Sequence, residues 1–393
     1  MHNFVLGIID AGLESTSGGV YNLIEGMLKS SNVRSDVIIK VFGTSVDLRK
    51  YNYSHNVIIN QLHTYSNLLK RCSKNIRAVP FIGPSMTSSR LFSVAELKMM
   101  SLVSDVPYTD VSWWFYPHCF APIPNLNNLI VICHDLQHYT YPEYFSWLVR
   151  RMRYGAESSL SNAKRIICVS NFTRNELLAR HPELENRTVV VYEPHGIDLT
   201  DAVIAQELNE VDESCKPPYF LYPAIDWPHK NHVLLLETAS MLKRRIGLEF
   251  KIILTGHRRR GNWLKNQIEN SGLSEVVLDL GPVSFTKLIA LYKRARSLVF
   301  PSLFEGFGRP LVESMACGTP IIASRNTAIP EIVGNAGLLF DPHSSVEFMQ
   351  AMKEMLSNGA LYTTLSSAAL SRSKEFSWSN WWDNLINQYL VDK

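Results

Sequence analysis

The sequence is short of the features that mark several functional classes. Its six cysteines, Cys72, Cys119, Cys133, Cys168, Cys215 and Cys317, are scattered and form no Cys-x-x-Cys pair. Several lie inside apolar, strand-like runs, which points to reduced, buried thiols and argues against a disulfide framework or a zinc site. The formal net charge is only +3, without the dense basic face of a nucleic-acid binder. The basic triplets Lys243-Arg244-Arg245 and Arg258-Arg259-Arg260 read as solvated helix faces or ends. No apolar stretch reaches the ~20 residues that span a bilayer. Met1 to Asp10 lacks a basic leader and breaks its short apolar run at Asp10, so it reads as a strand and not as a signal peptide. Asp-x-Asp is absent and the histidines do not fall at metal-ligand spacing, so no metal site is expected. The first strand-turn also lacks Gly-x-Gly-x-x-Gly, which argues against a nicotinamide dinucleotide site.

What is present is a globular composition, 46% apolar and 19% charged, over 393 residues. That length suits about two domains of ~150–200 residues. Phe4–Ile9 is a continuous apolar run followed by a polar loop through Gly18-Gly19 and a helical pattern over Val20–Leu28. Strand, glycine-containing turn and helix is the opening of a nucleotide-binding αβ unit. Strand-like runs recur at Val37–Phe42, Asn56–Ile59, Val111–Tyr116, Leu129–Cys133, Arg165–Val169 and Thr188–Tyr192. From Ile197 to Pro218 the texture turns acidic and ends Lys216-Pro217-Pro218, as a linker does. A second alternation begins at Tyr219–Pro223 and continues through Phe250–Thr255, Val276–Leu280, Ser297–Pro301 and Pro320–Ser324, with helices between. The fold class expected is α/β: two Rossmann-like domains, each with a parallel sheet, facing across a cleft. The boundaries read 1–196 for the first domain, 197–218 for the linker, 219–376 for the second, and 377–393 for a tryptophan-rich closing segment.

The most specific segment runs Phe300-Pro301-Ser302-Leu303-Phe304-Glu305-Gly306-Phe307-Gly308-Arg309-Pro310-Leu311-Val312-Glu313. A buried strand ends, a Gly-Phe-Gly turn follows, and Pro310 stands in the first turn of a helix, where proline is tolerated. Backbone N–H groups at such a helix N-terminus suit a diphosphate. Glu305 in the turn and Glu313 one turn past Pro310 can border one ligand, with Glu313 accepting from vicinal hydroxyls such as those of ribose. The bland alternative is a capped helix with two solvated glutamates.

This segment resembles the Glu-x7-Glu signature of glycosyltransferase family 4, retaining enzymes of the GT-B fold. The similarity extends through Ala328-Ile329-Pro330-Glu331-Ile332-Val333-Gly334 and Phe340-Asp341-Pro342. It covers Tyr219 to Pro342 well and the N-terminal half more weakly, and it implies that residues 377–393 form a helix packing back on the first domain. The resemblance implies that Glu313 holds the ribose, and that Glu305 with the N–H groups of Phe307 and Gly308 holds the sugar and phosphate, Gly306 and Arg309 belonging to the same donor-binding turn. A second element, Tyr222-Pro223-Ala224-Ile225-Asp226-Trp227-Pro228-His229-Lys230-Asn231, follows the first strand of the second domain. There Lys230 would meet the diphosphate as leaving charge develops. The family has an arginine several residues before this lysine; Ala224 stands in its place, and Arg309 or His229 is the candidate substitute. This variant resembles bacterial surface-polysaccharide mannosyltransferases.

In the first domain a His134-Asp135 pair follows the run Ile130–Cys133. The resemblance implies a histidine against the sugar's hydroxymethyl group; the other reading makes Asp135 a cap for the next segment. Gly18 and Gly19 resemble the family's glycine turn near the phosphates, although a bare Gly-Gly serves any tight turn. Ser170-Asn171-Phe172-Thr173 matches a family element and equally an ordinary helix N-cap. Tyr144, Phe145, Trp147 and Leu148 beside Arg150, Arg151 and Arg153 read as core with a basic rim, or as a patch for anionic lipid.

The function expected is a retaining, metal-independent transfer of a hexose, mannose from GDP-mannose, to a hydroxyl of a growing bacterial surface glycan. The catalytic set is His134, Asp135, Lys230 and Glu305. No cofactor is expected, the partners being a nucleotide sugar and a glycan or lipid-linked glycan acceptor, with no nucleic acid. The expected location is the cytoplasm, with peripheral contact at the inner membrane face. The alternatives are a UDP- or dTDP-sugar donor, a sugar-nucleotide epimerase or phosphorylase on the same two-domain scaffold, and a non-catalytic nucleotide-binding partner in glycan assembly.

Overall fold

The computed structural model describes residues 128–157, 160–197, 218–245 and 249–388. It also describes strands at 4–10, 37–43, 57–61 and 113–116, and residues 26, 27, 30, 207 and 208. The first sheet contains β1 (Phe4–Asp10), β2 (Val37–Gly43), β3 (Val57–Gln61), β4 (Trp113–Tyr116), β5 (Leu129–Cys133), β6 (Arg165–Cys168) and β7 (Thr188–Val190). Their spatial order is β3-β2-β1-β4-β5-β6-β7. The second sheet contains β8 (Tyr219–Pro223), β9 (Lys251–Thr255), β10 (Val277–Asp279), β11 (Ser297–Phe300), β12 (Ile321–Ser324) and β13 (Gly337–Phe340). Its order is β10-β9-β8-β11-β12-β13.

Every pairing in both sheets is parallel. A parallel sheet covered by helices buries both strand faces. Accordingly β5, β11 and β12 are buried at every residue. In each sheet the order reverses beside the first strand, at β1 and at β8. Open sheets bind ligands outside the carboxyl ends of the strands at such a switch point. In the second sheet the loops after β8 and β11 therefore define where a site belongs.

One strand is absent from the sequence reading. Gly337–Phe340 is short and opens on glycine, which is depleted in strands, yet it pairs with Ile321–Ser324 as β13. A Cβ on Gly337 would lie 2.5 Å from the Ile321 carbonyl oxygen. Glycine is there because the two backbones approach too closely for a side chain.

The closing helix, Trp378–Asp383, lies against the first sheet. The Trp381 ring meets Phe115 of β4 edge-on at 6.3 Å, and the Trp382 indole N–H donates to Ser30 Oγ at 2.9 Å. Trp381 and Trp382 are buried, and each large apolar side chain so placed contributes about 1.5–3 kcal/mol. Upstream, the His195 N–H donates to the Phe376 carbonyl at 2.9 Å, which ties the end of the first domain to the end of the second.

The aromatic–basic segment does not have the core placement that its composition suggests. Trp147 is 64% and Leu148 38% exposed, on an amphipathic helix over Trp147–Glu157. The helix turns its other side inward, where Glu157 is buried against His138. Spacing alone does not say which stripe faces the core. Among the described residues no helix is long and apolar enough to cross a membrane.

Candidate active site

Strand β8 delivers its loop in a fixed shape. Asp226 is fully buried, and its carboxylate accepts from the backbone N–H groups of Arg259 and Arg260, the latter at 3.1 Å. Arg258 is pinned as well, donating to the Ala224 carbonyl at 3.2 Å and pairing with Asp279. The triplet Arg258-Arg259-Arg260 is thus not at a helix end: Arg259 and Arg260 expose their side chains as expected, but their backbone braces the β8 loop. A single 3-10 turn over Pro228–Lys230 follows. Asn231 closes it in the left-handed region at φ 56° and donates from Nδ2 to the Pro342 carbonyl at 3.0 Å.

The β11 loop meets this turn. The Leu303 N–H donates to the His229 carbonyl at 2.7 Å, and Lys230 Nζ pairs with Glu305 Oε1 at 2.6 Å. Both side chains are largely buried, 18% and 11% exposed. A short charge-assisted pair of this kind orients both groups. The Glu305 N–H donates to Thr327 Oγ1 at 3.0 Å, so the glutamate is braced from behind. Gly308, at φ 95°, occupies the N-cap of the helix Arg309–Ala316, and proline stands in the first turn.

Within that helix Glu313 is buried, 6% exposed. Its Oε2 accepts from the Tyr292 hydroxyl at 3.0 Å, and its Oε1 faces Arg309 Nε at 3.6 Å. Arg309 is largely buried too, and its Nε and Nη1 have no hydrogen-bond partner. A guanidinium with buried, unused donors is costly unless an anion takes them. His229, by contrast, is held neutral: burial and then the neighbouring Lys230 charge push its pKa down to about 3.

The first domain closes on the same turn. His134 Nδ1 is 2.9 Å from Glu193 Oε1. Burial alone would raise the Glu193 carboxyl, but the His134 hydrogen bond and the charges of His134 and Arg309 hold it below the usual range. Asp135 Oδ1 accepts from the Gln137 N–H at 2.9 Å and from Arg153 at 3.0 Å. Its carboxyl is likewise held low against the opposing effect of burial, chiefly by Arg153. Asp135 therefore braces the short helix Gln137–Thr140 and pairs with the amphipathic helix. Gly306 packs directly on the backbone of this pair: a Cβ there would lie 1.8 Å from the His134 carbonyl oxygen. The Gly306 carbonyl accepts from Ser170 Oγ at 2.6 Å and Thr173 Oγ1 at 3.1 Å. Phe304, 2% exposed, is flanked edge-on by Tyr141 and Phe172 of the first domain.

The structure therefore gathers His134, Asp135, His229, Lys230, the turn Glu305–Gly308, Arg309 and Glu313 around one interdomain seam. Gly18 and Gly19 lie outside the described residues. Sequence reasoning missed Glu193 and Asp226. Both stand just past strand ends, which was a usable signal, but their partners come from distant parts of the chain.

Comparison with known proteins identifies the family and the fold. A family model described as Glycosyl transferases group 1 matches residues 204–372. O-antigen chain mannosyltransferase B of Escherichia coli is 31% identical over 277 residues, covering 70% of this chain and 72% of that protein. O-antigen chain mannosyltransferase RfbU of Salmonella typhimurium is 28% identical over 233 residues, covering 59% of this chain and 62% of that protein. Among solved structures, a glycosyltransferase from Rickettsia africae superposes with a TM-score of 0.69 at 17% identity, covering 99% of this chain and 98% of that one. The chain belongs to the group 1 glycosyl transferases, and its two parallel-sheet domains have the GT-B fold. It is accordingly a hexosyltransferase.

Proposed function

We propose that this enzyme transfers mannose from GDP-mannose to a hydroxyl of a growing bacterial surface glycan, with retention at the sugar carbon and without a metal ion. The observation that carries the reading is the pairing of Lys230 with Glu305 in a turn seated on His134. The names of the two mannosyltransferase relatives support the sugar and the acceptor class. In this reading the donor lies along the β8 and β11 loops, with its ribose on Glu313. As the bond from sugar to phosphate breaks, the sugar carbon gains cationic character and the diphosphate gains charge. Lys230 and the N–H groups of the Gly306–Gly308 turn stabilise that charge. Glu305 holds Lys230 in place and accepts from sugar hydroxyls. The acceptor hydroxyl attacks from the face the diphosphate leaves, and a phosphate oxygen takes its proton.

Arg309 supplies the second cation on the diphosphate, in place of the arginine absent at Ala224. Its buried, unused donors support this; His229, neutral near physiological pH, brings no charge. The enzyme works in the cytoplasm, at the inner face of the membrane where lipid-linked acceptors are held.

The test is nucleotide release from GDP-, UDP- and dTDP-sugars with chelator present, with and without a bacterial lipid-glycan extract, followed by the anomeric configuration of the product. Acceptor-dependent release from GDP-mannose with retained configuration is expected. Release from a UDP- or dTDP-sugar instead would replace the donor, and an inverted product would remove the retaining mechanism. Nucleotide binding without release from any donor would favour a non-catalytic partner in glycan assembly.

A further inference from the structure

The helix Asn171–Leu178 follows β6 in the first domain, with Ser170 as its N-cap. Its first backbone N–H groups have no partner within the helix and need one from outside. They find it in the other domain. Glu331 Oε1 accepts from the Asn171 N–H at 2.7 Å and Oε2 accepts from the Phe172 N–H at 3.0 Å. Oε1 also accepts from Asn171 Nδ2 at 2.8 Å and from the Tyr192 hydroxyl at 2.8 Å. A carboxylate at a helix N-terminus is favoured by both hydrogen bonding and the helix dipole. Here that carboxylate spans two domains.

Glu331 is rigidly mounted. It lies in the short helix Ile329–Val333, whose first turn contains Pro330. Arg372 donates to the carbonyls of Glu331 and Ile332, both at 2.6 Å. The segment just before that helix holds Glu305: Thr327 Oγ1 accepts from the Glu305 N–H at 3.0 Å, and the Ala328 N–H reaches the Glu305 carbonyl at 3.4 Å. The first domain therefore grips the Glu305–Gly306 turn at two points, directly through Ser170 and Thr173 and indirectly through Glu331. Asn171 is exposed at the rim, so water can take over these donors when the domains part.

We propose that Glu331 is an interdomain latch, a positioning residue that holds the cleft closed so that Lys230 and Glu305 meet the groups of the first domain. Its carboxylate caps the Asn171–Leu178 helix only in the closed arrangement, so closure gains several charge-assisted hydrogen bonds at once. The latch rests on the reading of this cleft as the transfer site, but touches neither donor nor acceptor.

The test compares the full-length wild type with Glu331→Ala and Glu331→Gln, with GDP as the probe nucleotide. Solution X-ray scattering with saturating GDP is expected to show a compact wild type and an expanded Glu331→Ala. Transfer turnover should fall about tenfold or more in Glu331→Ala, with donor KM within about twofold of wild type and an unchanged melting temperature. A larger share of donor should be lost to water. Glu331→Gln should fall between the two, because its amide oxygen still accepts but its nitrogen cannot. Unchanged scattering and turnover in Glu331→Ala would overturn the latch. So would a melting temperature that drops in step with turnover, which would mark a purely structural residue. If the wild type transfers no sugar from any donor, the proposed function fails, while the scattering comparison still decides the latch.

Discussion

At the scale of single residues, the site is a set of charges whose partners define their work. Lys230 is paired with Glu305, so Lys230→Ala removes a cation and strands an anion. Turnover at saturating donor is expected to fall ~10²–10³-fold, measured as initial rates of nucleotide release. Glu313 is buried between Tyr292 and Arg309. Glu313→Ala is expected to weaken GDP binding by roughly 10–100-fold, the worth of a charged hydrogen bond; calorimetry with GDP checks it, and wild-type affinity would remove the ribose assignment. Arg309→Met should weaken GDP binding but leave guanosine binding nearly unchanged, because only the former carries the diphosphate. Equal losses for both ligands would place Arg309 elsewhere.

At the scale of elements, the two loops after β8 and β11 are held by each other and by the first domain. Gly306 is where that seating is tightest, since a Cβ would fall 1.8 Å from the His134 carbonyl oxygen, far inside van der Waals contact. Gly306→Ala is therefore expected to cost more than ~10²-fold in transfer, as a misplacement of about 1 Å does. The clash lies between domains and not within a core, so thermal stability should stay near wild type. Normal transfer rates in this variant would mean that the closed contact is not the working one. The shape of the β11 loop was legible in the sequence because Glu305, Gly306, Gly308 and Pro310 sit at fixed spacing after a buried strand. The braces were not legible: Asp226 on Arg259 and Arg260, Glu193 on His134 and Glu331 on Asn171 join residues far apart in the chain. Nothing in local pattern specifies such pairs.

At the scale of the whole molecule, burial of histidines couples stability to pH. His232 is 3% exposed with neither ring nitrogen hydrogen-bonded. Burial and the nearby Arg258 charge push its pKa from 6.5 down to about 3. His195 is lowered to about 4 by burial and Arg309, and His229 to about 3 by burial and Lys230. In each case the unfolded chain takes up a proton that the folded chain refuses. Stability is therefore intact above about pH 6.5 and declines as pH falls toward the folded values. The melting temperature should drop between pH 7 and pH 5. His232→Phe, which keeps the ring against Tyr222, should flatten that slope; an unchanged slope would show that His232 does not contribute.

The sequence by itself determined the parallel α/β class, most strand positions and the two loops, after β8 and β11, that meet at the interdomain seam. Buried strands are continuous apolar runs, and phosphate-binding turns need particular residues at short range. Only the tertiary structure decided which guanidinium donors are taken up by hydrogen bonds and which are not. It alone showed that Arg258 is occupied by Asp279 and the Ala224 carbonyl while Arg309 keeps open donors. It also decided that Trp147 faces outward while Trp381 meets Phe115 of the first sheet and Trp382 bonds to Ser30 of the first domain. Those outcomes depend on how two domains and a returning helix meet, and that is fixed by contacts between residues that no local spacing links.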